Sequence, residues 1–155
     1  MITFPPLAID TNIQDLIKTT FDADLPLSGD WGYSEERASI IEALPASMTL
    51  PQLQHMISTI RAHLEMNITQ KEANRYAGIN VNEKTREIIT SDGGTFHKVS
   101  YEITAIKEDR YHAFIKEYKK GYESEELDLN EHFKRRKEAT LIREVIHYFE
   151  VSSIK

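Results

Sequence analysis

The strongest hydrophobic pattern in the chain has helical spacing and lies just before its middle. Over residues 49–66, apolar side chains recur every three or four positions and form one stripe. Thr49 and Gln52 have the spacing of a capping box, and Pro51 falls in the first turn, where a helix tolerates the missing N–H. The pattern predicts an amphipathic helix with its apolar face in the core.

Further segments of the chain repeat the helical period. They are residues 11–21, 34–44, 109–120 and 130–150. Thr11, Ser34 and Asp109 are the expected N-caps of the first three, and Pro45 ends the second. Both ends of the chain are therefore predicted to be rich in helix.

Residues 86–107 change to the period of a β-strand. Apolar and polar side chains alternate over 98–105, and the turn sequence Ser-Asp-Gly-Gly at 91–94 precedes this run. The pattern predicts a β-hairpin, with a further strand across 77–81. Residues 69–85 as a whole fit either a helix or a strand.

The order of the predicted elements is helices, a small antiparallel sheet, then helices. This order indicates an α+β fold, in which a β-hairpin or three-stranded sheet packs on the amphipathic helices. A chain of 155 residues, 40% of them hydrophobic, can bury a core of its own. We therefore expect a single domain over residues 1–155.

Composition narrows the chemistry and the compartment. The chain has no cysteine, which excludes disulfides, thiolate catalysis and cysteine-ligated metals. Its apolar runs are too short for a membrane span, and its first residues lack the pattern of a signal peptide. A cytoplasmic protein that does not bind membranes is the simplest expectation.

Charge is distributed unevenly along the chain. Residues 1–48 carry eight acids and two bases, which accounts for the whole formal net charge of −6. A one-sided acidic field attracts basic partners and repels nucleic acid. The acidic third is therefore the expected contact region for a basic partner protein.

The chain's one tryptophan lies within this acidic third. The run Leu-Pro-Leu-Ser-Gly-Asp-Trp-Gly-Tyr-Ser opens residues 25–41, a stretch that resembles a segment of small bacterial proteins with a Leu-Pro-x-Ser-Gly-x-Trp-Gly-Tyr-Ser run. The resemblance implies no function. Trp31 and Tyr33 around Gly32 have the composition of interface anchors. The alternative interpretation is that Trp31 packs in the core under a loop.

His97 is the strongest candidate for catalysis. Strand parity places it on the same face as Val99 and Tyr101, which should be buried. There it could act as a general base with Tyr101 and a carboxylate such as Glu144, in a pocket near the hairpin. It could equally be a histidine hydrogen-bonded at the edge of the core.

Metal and DNA binding have weaker support. Asp109 with His112, and Glu144 with His147, have the helical spacing of di-metal sites, but the further inward carboxylates are missing. We predict no metal and no cofactor.

Residues 69–79 resemble the first half of a helix-turn-helix motif, but the second half lacks its apolar anchors.

These observations favour a non-catalytic protein-binding module of immunity, inhibitor or adaptor type, from a bacterium or phage. The expected contacts with a basic partner are Asp22, Asp24, Asp30, Trp31, Tyr33, Glu35 and Glu36. The alternative is a small enzyme or ligand-binding protein with a pocket near His97 and Tyr101. A DNA-binding regulator is the third interpretation.

Overall fold

The computed structural model describes residues 4–7, 12–91, 94–124 and 129–154. Within these ranges the chain forms helices and strands in an α+β arrangement, which confirms the predicted class. In chain order they are α1 (Ile13–Phe21), β1 (Leu27–Gly29), β2 (Ser39–Ile41), α2 (Leu50–His63), β3 (Tyr76–Ser91), β4 (Gly94–Lys107), α3 (Glu108–Ser124), α4 (Leu129–Ala139) and β5 (Leu141–Glu150).

The strands form one five-stranded mixed sheet in the order β1-β2-β5-β4-β3. Neighbouring strands are antiparallel except β2 and β5, which are parallel. The last strand of the chain is therefore the central strand of the sheet. This sheet is larger than the predicted hairpin or three-stranded sheet, because β1, β2 and β5 come from segments without a predicted strand.

The helix over 49–66 and the hairpin are confirmed. Thr49 and Gln52 form the capping box that begins α2, and a π-helical turn at Leu64–Ile68 follows the helix. Strands β3 and β4 pair from Tyr76 to Lys107, while residues 92 and 93 of the turn lie outside the described residues. The sequence pattern of each of these elements is local, so it was sufficient to predict the element.

The predicted caps of the outer helices need small corrections. Helix α1 begins at Ile13 with Asn12 as its N-cap, and Thr11 lies outside the described residues. Helix α3 begins directly after β4, so Asp109 lies in its first turn and does not precede it. The two helices predicted over 11–21 and 109–120 are themselves present, as α1 and α3.

The helix predicted over 34–44 is wrong. Ser34 does accept a hydrogen bond from the Arg37 N–H at 3.2 Å, as an N-cap would, but this bond only closes a turn. The chain then enters β2, whose β-branched residues Ile40 and Ile41 suit a pleated strand. Pairing with β1 and β5 decides the conformation here.

The helix predicted over 130–150 is only half right, since α4 ends at Ala139 and β5 follows. The second half is rich in β-branched and aromatic residues, which favour a strand. Glu144 and His147 are three positions apart on a strand, so their side chains lie on opposite faces. The helical metal-site spacing therefore does not exist.

The sequence of residues 69–85 fitted either a helix or a strand, and the structure decides between them. A short 3₁₀ turn at Glu72–Asn74 leads into β3, whose pairing with β4 is interrupted by bulges. Strand β3 takes up only the last four residues of the 69–79 segment that resembled a helix-turn-helix motif, and the 3₁₀ turn lies before them.

The two faces of the sheet differ. Odd-numbered side chains of β4 (97–105) and β5 (141–149) form the inner face, which packs against α2 and α1. Even-numbered side chains of β4 (98–104) and β5 (142–148) form the outer face. Helices α3 and α4 pack where β3 begins and β4 ends. No helix in the described ranges is long and apolar enough to cross a membrane.

Candidate functional site

Trp31 lies in the core beneath the β1–β2 loop. Its side chain is 1% exposed and joins the main apolar cluster. The next residue, Gly32, has φ of +84°, and a Cβ there would lie 2.0 Å from Cδ2 of His147. Trp31 is therefore not accessible to a partner in this structure, as the alternative interpretation of a buried tryptophan expects.

Tyr33 is half-buried and connects the loop to the core. Its hydroxyl donates to the Glu65 carboxylate and accepts a hydrogen bond from the Leu7 N–H at 2.8 Å. Burial and the neighbouring Glu65 charge raise the pKa of Tyr33. The Arg61 guanidinium lies over its ring, 4.2 Å from the centroid. Tyr33 thus contributes to internal structure, which leaves little of it for the anchor role expected from the sequence.

Glu65 is the centre of a buried ionic cluster. It lies in the π-helical turn, 2% exposed, with one carboxylate oxygen 3.4 Å from Arg61 Nε and the other 3.0 Å from Arg143 Nη1. Arg61 also donates to the carbonyl oxygens of Trp31 and Ile146, each at 3.1 Å. Burial lowers the pKa of Arg61. Every charge in the cluster has a partner, so the cluster is built for structure.

His147 is fully buried between two serines. Ser39 Oγ donates to the Asp30 carbonyl at 2.7 Å, so it accepts from His147 Nε2 at 2.8 Å. Ser58 Oγ lies 3.0 Å from Nδ1 and is therefore its donor. Burial and the Arg61 charge hold the pKa of His147 well below its usual range. A neutral imidazole that donates to Ser39 cannot take its proton, so this pair is not a nucleophile with its base.

His97 lies on the inner face beside Val99 and Tyr101, as strand parity predicted. Its Nδ1 is 3.1 Å from Nη1 of Arg86 and 3.1 Å from Nε2 of the buried Gln54. Burial and the Arg86 charge lower its pKa, so His97 is a neutral acceptor at the edge of the core.

The structure does not assemble the proposed catalytic set. Burial raises the pKa of Tyr101 to about 12, which makes it a poor acid or base near neutral pH. Glu144 lies on the outer face opposite Glu102, so the sheet separates it from His97 and Tyr101. The sequence placed Glu144 on a predicted helix over 130–150, but in the structure Glu144 lies on strand β5.

Most of the acidic side chains that are predicted to contact a partner are exposed to solvent. Asp22, Asp24, Glu35 and Glu36 are exposed, and Asp24 accepts a hydrogen bond from Gln14 at 3.0 Å. Asp30 differs, because its carboxylate is 2.8 Å from Arg37 Nε. Among the described acids of the first third it is the one in an ion pair.

The outer face carries exposed apolar side chains that sequence reasoning did not assign to a site. Ile142 is 63% exposed and Ile146 is 43% exposed, both on the central strand β5. Between them Glu144 lies directly opposite Glu102 of β4. Glu102 is 3.7 Å from Lys84, but the Glu144 carboxylate has no ion pair within the described ranges. The β-branched and aromatic residues of 141–149 were a signal for a strand, but apolar residues occur on both of its sides, so the sequence did not reveal this face.

Neither a metal site nor a similarity to a known protein assigns a function to this chain. Among the described residues, no three histidine, aspartate or glutamate side chains come together as a metal site would require. No protein family model, curated protein or solved structure matches the chain. The function must therefore be argued from the geometry alone.

Proposed function

We propose that this protein is a non-catalytic binding module for a basic partner protein, with the outer face of the sheet as its contact surface. The observation that supports this most is the exposure of Ile142 and Ile146 on the central strand of the sheet. Antiparallel sheets that face water usually carry polar residues on that side. Apolar side chains grouped at the middle of such a face favour a protein contact.

The charge between the two isoleucines indicates the chemistry of the partner. Glu102 and Glu144 are directly opposite across β4 and β5, an arrangement that destabilises an isolated sheet. A lysine or arginine of the partner placed between them would relieve this repulsion. The apolar neighbours would exclude water and strengthen the attraction.

The exposed acids of the first third extend this preference for a basic partner. Asp22, Asp24, Glu35 and Glu36 can accelerate association, while the outer face supplies the apolar contact. Buried aromatic anchors are not needed in this arrangement. His97 and His147 support the non-catalytic part of the proposal, because both are held by hydrogen bonds and both have a lowered pKa.

The experiment is affinity capture from extract of the cells that encode the chain, at low and high salt. The outer-face variant is I142S/I146S, and the matched control is I88S, because Ile88 is 64% exposed but pairs with inner-face His97. We expect one stoichiometric, basic protein that I88S retains. Measured with that purified protein, I142S/I146S should weaken the Kd by about tenfold or more.

Three results would contradict the proposal. They are a partner that binds I142S/I146S as tightly as the unmodified chain, a partner unaffected by salt, and no stoichiometric partner at low salt. Sedimentation velocity of the purified chain tests a different occupant. A dimer that I142S/I146S dissociates would place a second copy on this face instead of a basic partner.

A further inference from the structure

A second candidate site lies apart from the buried clusters, between the helices α3 and α4 and the ends of β3 and β4. It is a groove with a cavity volume of about 320 Å³. Its polar lining comes from Asn80, Thr104, Tyr111, Arg136 and Thr140. A cavity of this size can hold a small molecule.

Arg136 is the charged group in this lining. It is half-buried, and its guanidinium has no ion pair or hydrogen bond with any residue that the structure describes. The preceding residue differs, because Arg135 Nη1 donates to Glu117 at 3.2 Å. A guanidinium that lines a groove without a carboxylate partner is a ready donor pair for an oxyanion.

Two hydroxyls in the groove are also available. The side chains of Thr104 and Tyr111 make no hydrogen bond within the described part of the chain. Thr140 is already used, since its hydroxyl donates to the Arg136 carbonyl at 2.7 Å. Arg136, Thr104 and Tyr111 therefore present unpaired donors on three different elements around one space.

The backbone of β3 shapes the groove. The pairing register shifts between Ala77 and Asn80, which makes Gly78 part of a bulge. Gly78 has φ of +60°, and a Cβ there would lie 2.8 Å from Cε2 of Tyr111. Glycine thus allows the Tyr111 ring to lie against the strand.

Two acids, Glu102 and Glu144, lie on the same face of the sheet as Thr104, and the first of them has a basic neighbour. Glu102 is on the same face of β4 as Thr104, but Lys84 lies 3.7 Å from its carboxylate. We propose that the groove binds a small ligand through a phosphate or carboxylate group, held by Arg136 with Thr104 and Tyr111 as hydroxyl donors. This site adjoins the proposed protein contact, because Thr104 pairs with Ile142 on the outer face, but the proposal does not depend on that contact.

The test is calorimetric titration of the full chain at constant ionic strength, with inorganic phosphate in one arm and citrate in the other. We expect saturable binding in at least one arm, and the arm that binds identifies the oxyanion. R136Q should weaken that Kd by about tenfold or more, as expected for loss of a charged hydrogen bond. R135Q is the matched control on the same helix and should stay within about twofold of the unmodified chain.

Circular dichroism of R136Q first establishes that the variant is folded. Absence of saturable binding in both arms would overturn the proposal. So would equal Kd values for R136Q and the unmodified chain. T104V gives a second reading, because loss of one hydroxyl donor should weaken binding less than loss of the guanidinium. Since I146S leaves the groove intact, it should bind the same probe normally whatever its effect on partner binding.

Discussion

The two faces of strand β5 both depart from the usual distribution of polar and apolar side chains, because polar groups lie within the inner face and apolar groups are exposed on the outer face. On the inner face, His147 is buried beside Phe149 and Arg143 is partly buried, and both polar groups have partners. On the outer face, Ile142 and Ile146 are exposed beside Glu144. Polar groups on the inner face therefore stabilise the fold, whereas exposed apolar groups on the outer face mark the surface available to a partner.

The largest expected effect comes from breaking the inner ionic cluster. Glu65→Ala leaves the buried Arg61 and the partly buried Arg143 without their carboxylate, which should cost about 3–5 kcal/mol of unfolding free energy. Urea denaturation measures this loss. Glu36→Ala, at an exposed acid, is the control and should change stability by less than about 0.5 kcal/mol. Equal losses in the two variants would contradict the structural role of the cluster.

A matched pair of threonine substitutions tests the difference between the faces directly. Val99→Thr places a hydroxyl on the fully buried inner face and should cost about 1–3 kcal/mol. Ile146→Thr on the outer face should stay within about 0.5 kcal/mol. Chemical denaturation of both variants gives the comparison. A larger loss for Ile146→Thr would show that the outer face is part of the core.

Acidification should weaken the inner face through His147. Its pKa is lower in the folded than in the unfolded chain, so the unfolded state binds more protons as pH falls below about 6.5. Stability is therefore present above that pH and declines below it, by about 1.4 kcal/mol per pH unit for each such group. His97 and His63, whose pKa values are also lowered, add to the decline.

Denaturation from pH 7 to 5 measures this dependence. His147→Gln should be less stable at pH 7 but should lose less on acidification. Ile57→Val is the control, because it weakens the core without removing a titratable group and should keep the full pH dependence. An unchanged dependence in His147→Gln would assign the effect to other groups.

The smallest effect concerns repulsion on the outer face. Glu144→Gln removes one of two directly opposed charges, so it should raise Tm slightly at low salt, and the gain should disappear at high salt. Thermal denaturation at two salt concentrations is the measurement. Glu42→Gln, at an exposed acid outside the sheet pairing, serves as the control. A gain that persists at high salt would mean that charge repulsion is not its cause.

The elements that could be predicted were those with a local signal. Helix α2 has a cap, a proline and one apolar stripe, and the β3–β4 hairpin has alternation beside a glycine turn. Strand β5 carries apolar residues on both faces, so its pattern also fitted a helix. Strand β2 has only three residues and depends on β1 and β5. Pairing partners distant in sequence decided both.

The same distinction applies to individual side chains. Alternation predicted the inner-face position of His97, because parity along one strand is a local property. The burial of Trp31 and the separation of Glu144 from His97 needed the assembled sheet. So did the placement of Arg136 beside Thr104 and Tyr111, which belong to three different elements.

The sequence by itself determined the α+β class, the capped helix α2, the hairpin and the concentration of acid in the first third. Each of these follows from residue type and short-range spacing. Only the tertiary structure decided the order of the strands, the buried partners of Glu65 and His147, and the exposure of Ile142 and Ile146. These depend on which distant segments meet, and the energy of such contacts is not encoded in any local pattern.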